Sequence, residues 1–171
     1  MAHTIALWCG CLASYNQGIL YGEWIDLNPI DTTEELQEAI DYILKSSPIE
    51  DAEEWAWFDH DLGGIHIDEY EDLEEIINIA KGLKEHESAF VAFYNCFCST
   101  DLEEFEERYQ GEYDSVEDYA QQFLEDTGAI ASIPENLRYY FDYEKYANDL
   151  EISGDINAEY IDDKCHIFFN Y

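Results

Sequence analysis

The amino-acid sequence predicts an α+β protein made of small units placed one after another. Three observations carry this expectation. Alternation of apolar and polar residues, the mark of strands, is concentrated near the two ends of the chain, whereas apolar stripes at helical spacing fill most of the remainder. A length of 171 residues suits one ordinary domain or two or three small ones. Hydrophobic residues make up 47% and aromatics 16%, enough to give each unit a core, so the disorder expected of a highly charged, apolar-poor chain is excluded.

Residues 3 to 9 alternate loosely, as do residues 20 to 27 around Gly22 and Trp24, which predicts two strands joined by the polar loop Ser14-Tyr15-Asn16-Gln17-Gly18. Asp31-Thr32-Thr33 caps a helix whose apolar face is Leu36, Ala39, Ile40, Ile43 and Leu44, and Ser46-Ser47-Pro48 ends it. Trp55-Ala56-Trp57-Phe58 reads as a third strand. Together these make an N-terminal α+β domain over residues 1–61.

From Asp68 the pattern is helical. Leu73, Ile76, Ile77, Ala80 and Leu83 form one stripe, and Phe90, Val91, Phe93, Tyr94 and Phe97 a second and more apolar one, which predicts a central helical domain over residues 62–99. In the C-terminal α+β domain, residues 100–171, Ser99 or Thr100 caps a helix that buries Leu102, Phe105 and Tyr109. After Gly111, Ser115 and Asp118 stand in capping-box-like positions before the inward residues Val116, Tyr119, Ala120, Phe123 and Leu124, and Gly128 suits a left-handed helix end. Pro134 opens a short turn of helix, residues 143 to 150 form another helix, and residues 156 to 160 with 166 to 169 form a closing hairpin across Asp162-Asp163.

Several function classes are excluded or disfavoured. No apolar run reaches the roughly 20 residues that span a bilayer, and the N-terminus lacks the basic start and apolar core of a signal peptide, so a soluble cytoplasmic protein is expected. There is no Gly-rich phosphate loop, Gly-x-Ser-x-Gly elbow or His-Glu-x-x-His pair. Asp59-His60-Asp61-Leu62-Gly63-Gly64 starts like a calcium loop, yet its twelfth position is Tyr70 where a bidentate Glu is required, which makes it a turn. The five cysteines are an odd number and are expected as free thiols. Cys9 with Cys11, and Cys96 with Cys98, have unusual spacing for zinc and apolar neighbours that favour burial. No metal, no cofactor and no catalytic residue is assigned. A paired-carboxylate enzyme remains an alternative that spacing alone cannot single out among 41 acids.

The charge is the most informative property. Asp+Glu 41 against Lys+Arg 7 leaves a net charge of −34 and a pI near 4.1, which repels nucleic acid and anionic membranes and favours basic partners. One long acidic stretch carries Glu103, Glu104, Glu106, Glu107, Glu112, Asp114, Glu117, Asp118, Glu125 and Asp126, opposed only by Arg108. Like charges at helical spacing oppose folding by a few tenths of a kcal/mol per pair, so their retention points to use. Duplex DNA carries one charge per roughly 1.7 Å, so 34 charges match about 58 Å, or roughly 17 base pairs. These carboxylates are the candidate phosphate mimics of a protein that binds a DNA-binding enzyme in place of DNA; an acidic adaptor for another basic protein is the alternative. Aromatic residues are dense in the same half, and Tyr109, Tyr113, Tyr119, Tyr139, Tyr140 and Phe141 are the candidate interface of a homodimer.

Two stretches add a resemblance. Tyr15-Asn16-Gln17-Gly18 with Gly22-Glu23-Trp24 resembles the opening loop and strand of the ArdA antirestriction proteins, DNA mimics carried by plasmids, transposons and phages. Tyr109-Gln110-Gly111-Glu112-Tyr113-Asp114-Ser115-Val116-Glu117-Asp118-Tyr119-Ala120 resembles that family's antirestriction motif, and Asp126-Thr127-Gly128, Ile133-Pro134, Leu137, Phe141-Asp142-Tyr143, Tyr146 and Asp149-Leu150 continue the likeness. The middle, from about residue 51 to 99, matches in acidity more than in residues. The resemblance implies a curved, elongated monomer of three small domains that dimerises through the C-terminal one. It also implies that the partner is the methyltransferase core of type I restriction-modification enzymes, whose basic DNA groove the protein occupies.

A net charge of −34 makes the folded state repel itself, and a Debye length of about 8 Å at physiological ionic strength screens that repulsion. Thermal melts should therefore rise in midpoint from low to moderate NaCl; a flat or falling series would show that the surface field does not oppose folding.

Overall fold

A computed structural model describes residues 5–171. Among these residues it has eight α-helices and two antiparallel sheets of three strands each, an α+β fold. The chain forms two compact units, Met1–Val91 and Ala92–Tyr171. No described helix is long and apolar enough to cross a membrane.

In the first unit, β1 (Ala6–Cys11) is the central strand, flanked by β2 (Gly22–Asp26) and β3 (Trp55–Asp61) in the order β2-β1-β3. The first strand was expected from residue 3; His3 and Thr4 lie outside the described residues. Leu7, Cys9, Cys11 and Ile25 form the buried side of the sheet. Helix α2 (Thr33–Lys45) packs against β1 and β2 with Leu36, Ile40, Ile43 and Leu44 buried. Its start is the expected one, reinforced by a full capping box: Thr32 Oγ1 accepts from the Glu35 amide at 3.3 Å while the Glu35 carboxylate accepts from the Thr32 amide at 3.2 Å.

Between β1 and β2 the expected loop is in part a helix, α1 (Leu12–Asn16). Its polar residues read locally as a turn, but Ser14 is buried and its hydroxyl meets that of Ser47 at 2.9 Å, a partner 33 residues away. Strand β3 also runs past Phe58 to Asp61, because pairing with β1 continues to Ala6 opposite Asp61. Helix α3 (Leu73–His86) starts at Asp72, whose carboxylate accepts from the Glu74 amide, and buries Ile76, Ile77, Ile79, Ala80 and Leu83. Helix α4 (Ser88–Phe97) contains the boundary between the units.

The second unit is built around β6 (Lys164–Phe169), which pairs with β4 (Tyr109–Tyr113) on one side and β5 (Ile156–Ile161) on the other. The β5–β6 connection is the expected two-residue turn, with Asp162 and Asp163 at φ 49° and 64°, the left-handed pair that a tight hairpin requires. Both faces of β6 are covered. Cys165 and Ile167 meet α6 (Val116–Asp126) and α8 (Tyr143–Ser153) in a core with Val116, Tyr119, Ala120, Ala147 and Ile156. His166 and Phe168 belong to an aromatic cluster with Tyr109, Phe93 and Phe105, the last from α5 (Leu102–Arg108). A 3₁₀ turn (Ala129–Ser132) and α7 (Glu135–Arg138) link α6 to α8.

Two expectations need correction here. The cap of α5 is Asp101, which accepts from the Glu103 and Glu104 amides; Ser99 and Thr100 stand one or two positions too early to reach them. Tyr109 does not end that helix but opens β4, a strand missed in the sequence because its five residues include Gly111 at φ 120° and two Tyr that also fit a helical stripe.

His166 is 1% exposed. Its Nδ1 lies 3.1 Å from the Tyr109 hydroxyl, and its Nε2 has no hydrogen-bond partner among the described residues. Burial holds its pKa below the ordinary histidine value, with Glu112 pulling the other way. The folded state thus refuses a proton that the unfolded chain accepts, so this group's contribution is complete above the unfolded pKa of about 6.5 and is lost as pH falls below it, by at most about 1.4 kcal/mol per pH unit. Urea unfolding of wild type and His166→Gln should show their stability difference shifting against the wild type from about pH 7.5 to about 5.5; parallel pH curves would contradict it.

Candidate functional site

The acidic stretch is displayed by three consecutive elements, α5, β4 and α6. In α5 the buried residue is Phe105, ringed by Phe93, Tyr109 and Phe168 at centroid distances of 5.1–6.2 Å. A short helix anchored on one inward ring turns Glu103, Glu106 and Glu107 outward, and all three are exposed. In β4, Glu112 is exposed. In α6 the Ser115 hydroxyl accepts from the Asp118 amide at 3.1 Å and donates to the Asp118 carboxylate at 2.7 Å. Val116, Tyr119, Ala120 and Leu124 face the core, which leaves Glu117, Asp118, Glu125 and Asp126 in solvent.

Of the ten expected carboxylates, nine are exposed and Glu104 is half-buried. Two are neutralised. Glu104 accepts from Arg108 Nε at 2.9 Å and from the Ser99 hydroxyl at 2.8 Å. Asp114 accepts from Lys164 Nζ at 2.7 Å, a hydrogen bond and charge contact that lower the Asp114 pKa and raise that of Lys164. Both groups of that second pair are well exposed, so it adds little to stability. Glu125 accepts from Gln121 at 3.1 Å and Asp126 from Gln122 at 3.5 Å, neutral partners that leave the charge in place. Eight exposed carboxylates on one continuous stretch of chain thus carry charge without a Lys or Arg partner among the described residues.

The charge is not confined to this stretch. Up to Val91 there are 21 acids against Lys45, Lys81 and Lys84, and beyond it 20 against Arg108, Arg138, Lys145 and Lys164. Each unit thus carries its own excess of acids, and residues 50–75 of the first are as acidic as the stretch on α5, β4 and α6.

The aromatic candidates separate into two groups. Tyr119 is 3% exposed and belongs to the core, in edge contact with Tyr113 at 5.2 Å, so it presents no surface to a second chain. Tyr109 and Tyr113 are half-buried, and burial pushes the Tyr109 and Tyr119 hydroxyls up to about 12. Tyr139 and Tyr140 are 89% and 77% exposed, and Phe141 is half-buried against Tyr143 and Tyr146. Exposed Leu137 and Ile152, which are not among the aromatic candidates, lie on α7 and α8. The four-residue length of α7 is the signal that could have pointed to Leu137: so short a helix has little to bury its apolar residues against.

All five cysteines are free; Cys9, Cys11 and Cys165 are buried, Cys96 is half-buried and Cys98 exposed. Burial pushes Cys9 up to about 12 and Cys96 up to about 11, so both remain protonated thiols at neutral pH. Among the described residues no three His, Cys, Asp or Glu side chains gather as a metal site. What the site offers chemically is fixed negative charge on capped, core-anchored elements.

A family model described as antirestriction protein (ArdA) matches residues 7–160 of the 171, from β1 into β5, and so includes all ten carboxylates. Comparison with curated proteins gives no match. With most of both units inside the match, the chain belongs to the ArdA family of antirestriction proteins.

Proposed function

We propose that this antirestriction protein acts as a DNA mimic in the cytoplasm, occupying the basic DNA groove in the methyltransferase core of type I restriction-modification enzymes. The observation that carries the reading is the set of eight exposed carboxylates on α5, β4 and α6 that no Lys or Arg compensates. Phosphates in DNA are fixed in place by the double helix. Here the Asp101 and Ser115 caps and the buried Phe105 and Tyr119 fix the carboxylates, so a Lys- and Arg-lined groove meets charge that is already positioned. Release of counterions drives the association as it drives DNA binding. Inhibition by this route needs no bond-making and no cofactor.

An elongated arrangement of three small domains, over residues 1–61, 62–99 and 100–171, belongs to this proposal, as does dimerisation through the last of them. Exposed Tyr139 and Tyr140, with Leu137 and Ile152, support an interface there. Tyr119 supports it from within as core, with Tyr109 and Tyr113 half-buried. A two-fold dimer raises the mimicked length to roughly 34 base pairs at most.

Two experiments test the reading. Glu103, Glu106, Glu107, Glu112, Glu117 and Asp118, changed to Gln or Asn singly and then together, should weaken displacement of DNA from a type I methyltransferase in a graded way. Single changes should cost less than about fivefold each, as exposed ion pairs do, while the combined variant keeps its fold, loses inhibition and shows a shallower salt slope. One substitution that abolishes inhibition with the fold intact would point to a hot spot or a catalytic group instead, and no effect of the full set would place the mimic surface elsewhere. For the dimer, sedimentation equilibrium at micromolar concentration should give twice the 20.0 kDa chain mass, and Tyr139→Ser with Tyr140→Ser should return it to the monomer; a wild type at 20.0 kDa would reject dimerisation at that concentration.

A further inference from the structure

The N-terminal sheet has a second face that the acidic stretch does not account for. Strand register puts Trp8 of β1 directly between Trp24 of β2 and Asp59 of β3. Residues paired across antiparallel strands share a face, and the strands are about 4.8 Å apart, so two indoles and a carboxylate stand in one row across the sheet. The Trp8 and Trp24 rings meet edge to face at 6.2 Å, and Trp24 is 51% exposed. One pair further along, Asp26 and Asp61 flank the small Ala6 on either side, both exposed.

At the other end of the row the sheet is shaped to hold a third ring on this side. Pairing between β1 and β3 shifts between Trp8 and Cys9, leaving Phe58 as an extra residue opposite β1. Its ring lies over Gly10, 2.5 Å from where a Cβ would stand, so only glycine fits beneath it. Tyr15 then packs edge-on against Phe58 at 5.3 Å. The opposite face holds α2; this one holds aromatic rings beside carboxylates.

We infer that this outer sheet face is a receptor for arginine side chains on the surface of the basic partner protein, with the guanidinium stacked on the Trp8 and Trp24 indoles and hydrogen-bonded to Asp59. The chemistry that selects arginine is visible elsewhere in the same molecule. Arg108 lies 4.6 Å over the Phe97 ring and 5.2 Å over that of Tyr171 while its Nε bonds Glu104, an aromatic surface beside a carboxylate holding a guanidinium. The first unit offers the same combination with no arginine to fill it. Its cations are all lysines, and Lys84 is held by the Ile30 carbonyl and Asp31 at 2.9 Å and 2.7 Å. Among the described residues the carboxylates of the face are oriented without being neutralised: Asp26 accepts only from the amides of Asn28, and Asp59 accepts from the His60 amide at 2.8 Å. With 21 acids against three lysines in this unit, the occupant must be cationic, and the indoles prefer a flat, weakly hydrated guanidinium to a compact ammonium. This inference rests on the reading that the partner is a basic DNA-binding enzyme, and it adds a contact that DNA itself does not make.

The test has two arms. In the first, the ¹⁵N-labelled full chain is titrated with nona-arginine and, separately, nona-lysine, and the four indole N–H signals are followed. Nona-arginine should shift Trp8 and Trp24 and leave Trp55 and Trp57 nearly unmoved, and it should bind at least about fivefold more tightly than nona-lysine. Trp24→Leu should abolish that preference while electrostatic binding persists, and Trp24→Phe should keep part of it. Asp59→Asn, which keeps the shape of the face, should also reduce it should Trp24→Leu fail to fold. Equal affinity for the two peptides, or shifts that bypass Trp8 and Trp24, would overturn the assignment. In the second arm, Trp24→Leu should raise the concentration needed to displace DNA from a type I methyltransferase by about five- to thirtyfold; an unchanged value would overturn the face as a partner contact. Failure of the wild type to displace DNA would sink the DNA-mimic reading alone, since the peptide arm judges the face without the enzyme.

Discussion

Mutual repulsion among carboxylates is the constraint under which every element of this protein forms. With 41 acids and seven Lys or Arg, most acids have no cation to meet, so the fold must hold them apart while apolar burial supplies the cohesion. The commonest solution is to put acids where a helix favours them. Asp72, Asp101 and Asp142 cap their helices with their own carboxylates, and Glu34 and Glu35, Glu74 and Glu75, Glu103 and Glu104, and Glu117 and Asp118 fill first turns, where the exposed amides and the helix dipole offset negative charge. Much of the excess is thereby made compatible with folding.

The remainder identifies where charge is kept at a cost. Helix α6 ends on Glu125 and Asp126 with no basic residue in its last turn, so two carboxylates sit at the end of the helix that disfavours them. Three of the four Lys and Arg of that unit are committed elsewhere: Arg108 to Glu104 and the Phe169 carbonyl, Arg138 to the carbonyls of Ile133 and Ala131, Lys164 to Asp114. A surface arranged for stability alone would place a Lys near Glu125. Folding requirements therefore separate acids that help build the helices from acids that the fold gains nothing by keeping.

Local signals were legible in the sequence, and tertiary ones were not. The α2 stripe and its Thr32 cap, the Ser115 start of α6, Gly128 at the left-handed position after it and the Asp162-Asp163 turn all follow from spacing and residue type within a few positions. Helix α1 and strand β4 were missed because what stabilises them is remote: the Ser47 hydroxyl for Ser14, and β6, over fifty residues on, for Tyr109 to Tyr113. The acids of the candidate surface were readable as solvent-facing, since no core would accept them; Glu104 differs only through its Arg108 and Ser99 partners. Aromatics carry no such label. Tyr119 and Tyr139 are the same residue type in the same half of the chain, one 3% and the other 89% exposed, and only the packing of α6 on β6 tells them apart. The indole row likewise emerges from pairing register, which no single strand encodes.

The position of β6 has a consequence for how the second unit comes into being. It is the central strand of its sheet and supplies inward side chains to both cores, yet it is the last element of the unit in chain order. During synthesis at about 5–20 residues per second, β4, α5 and α6 emerge seconds before the strand that joins them. Throughout that interval the acidic stretch on these elements is an unassembled polyanion. Such a segment resists collapse and repels other nascent copies of itself, so the charge that serves the finished surface also protects the unfinished one from aggregation.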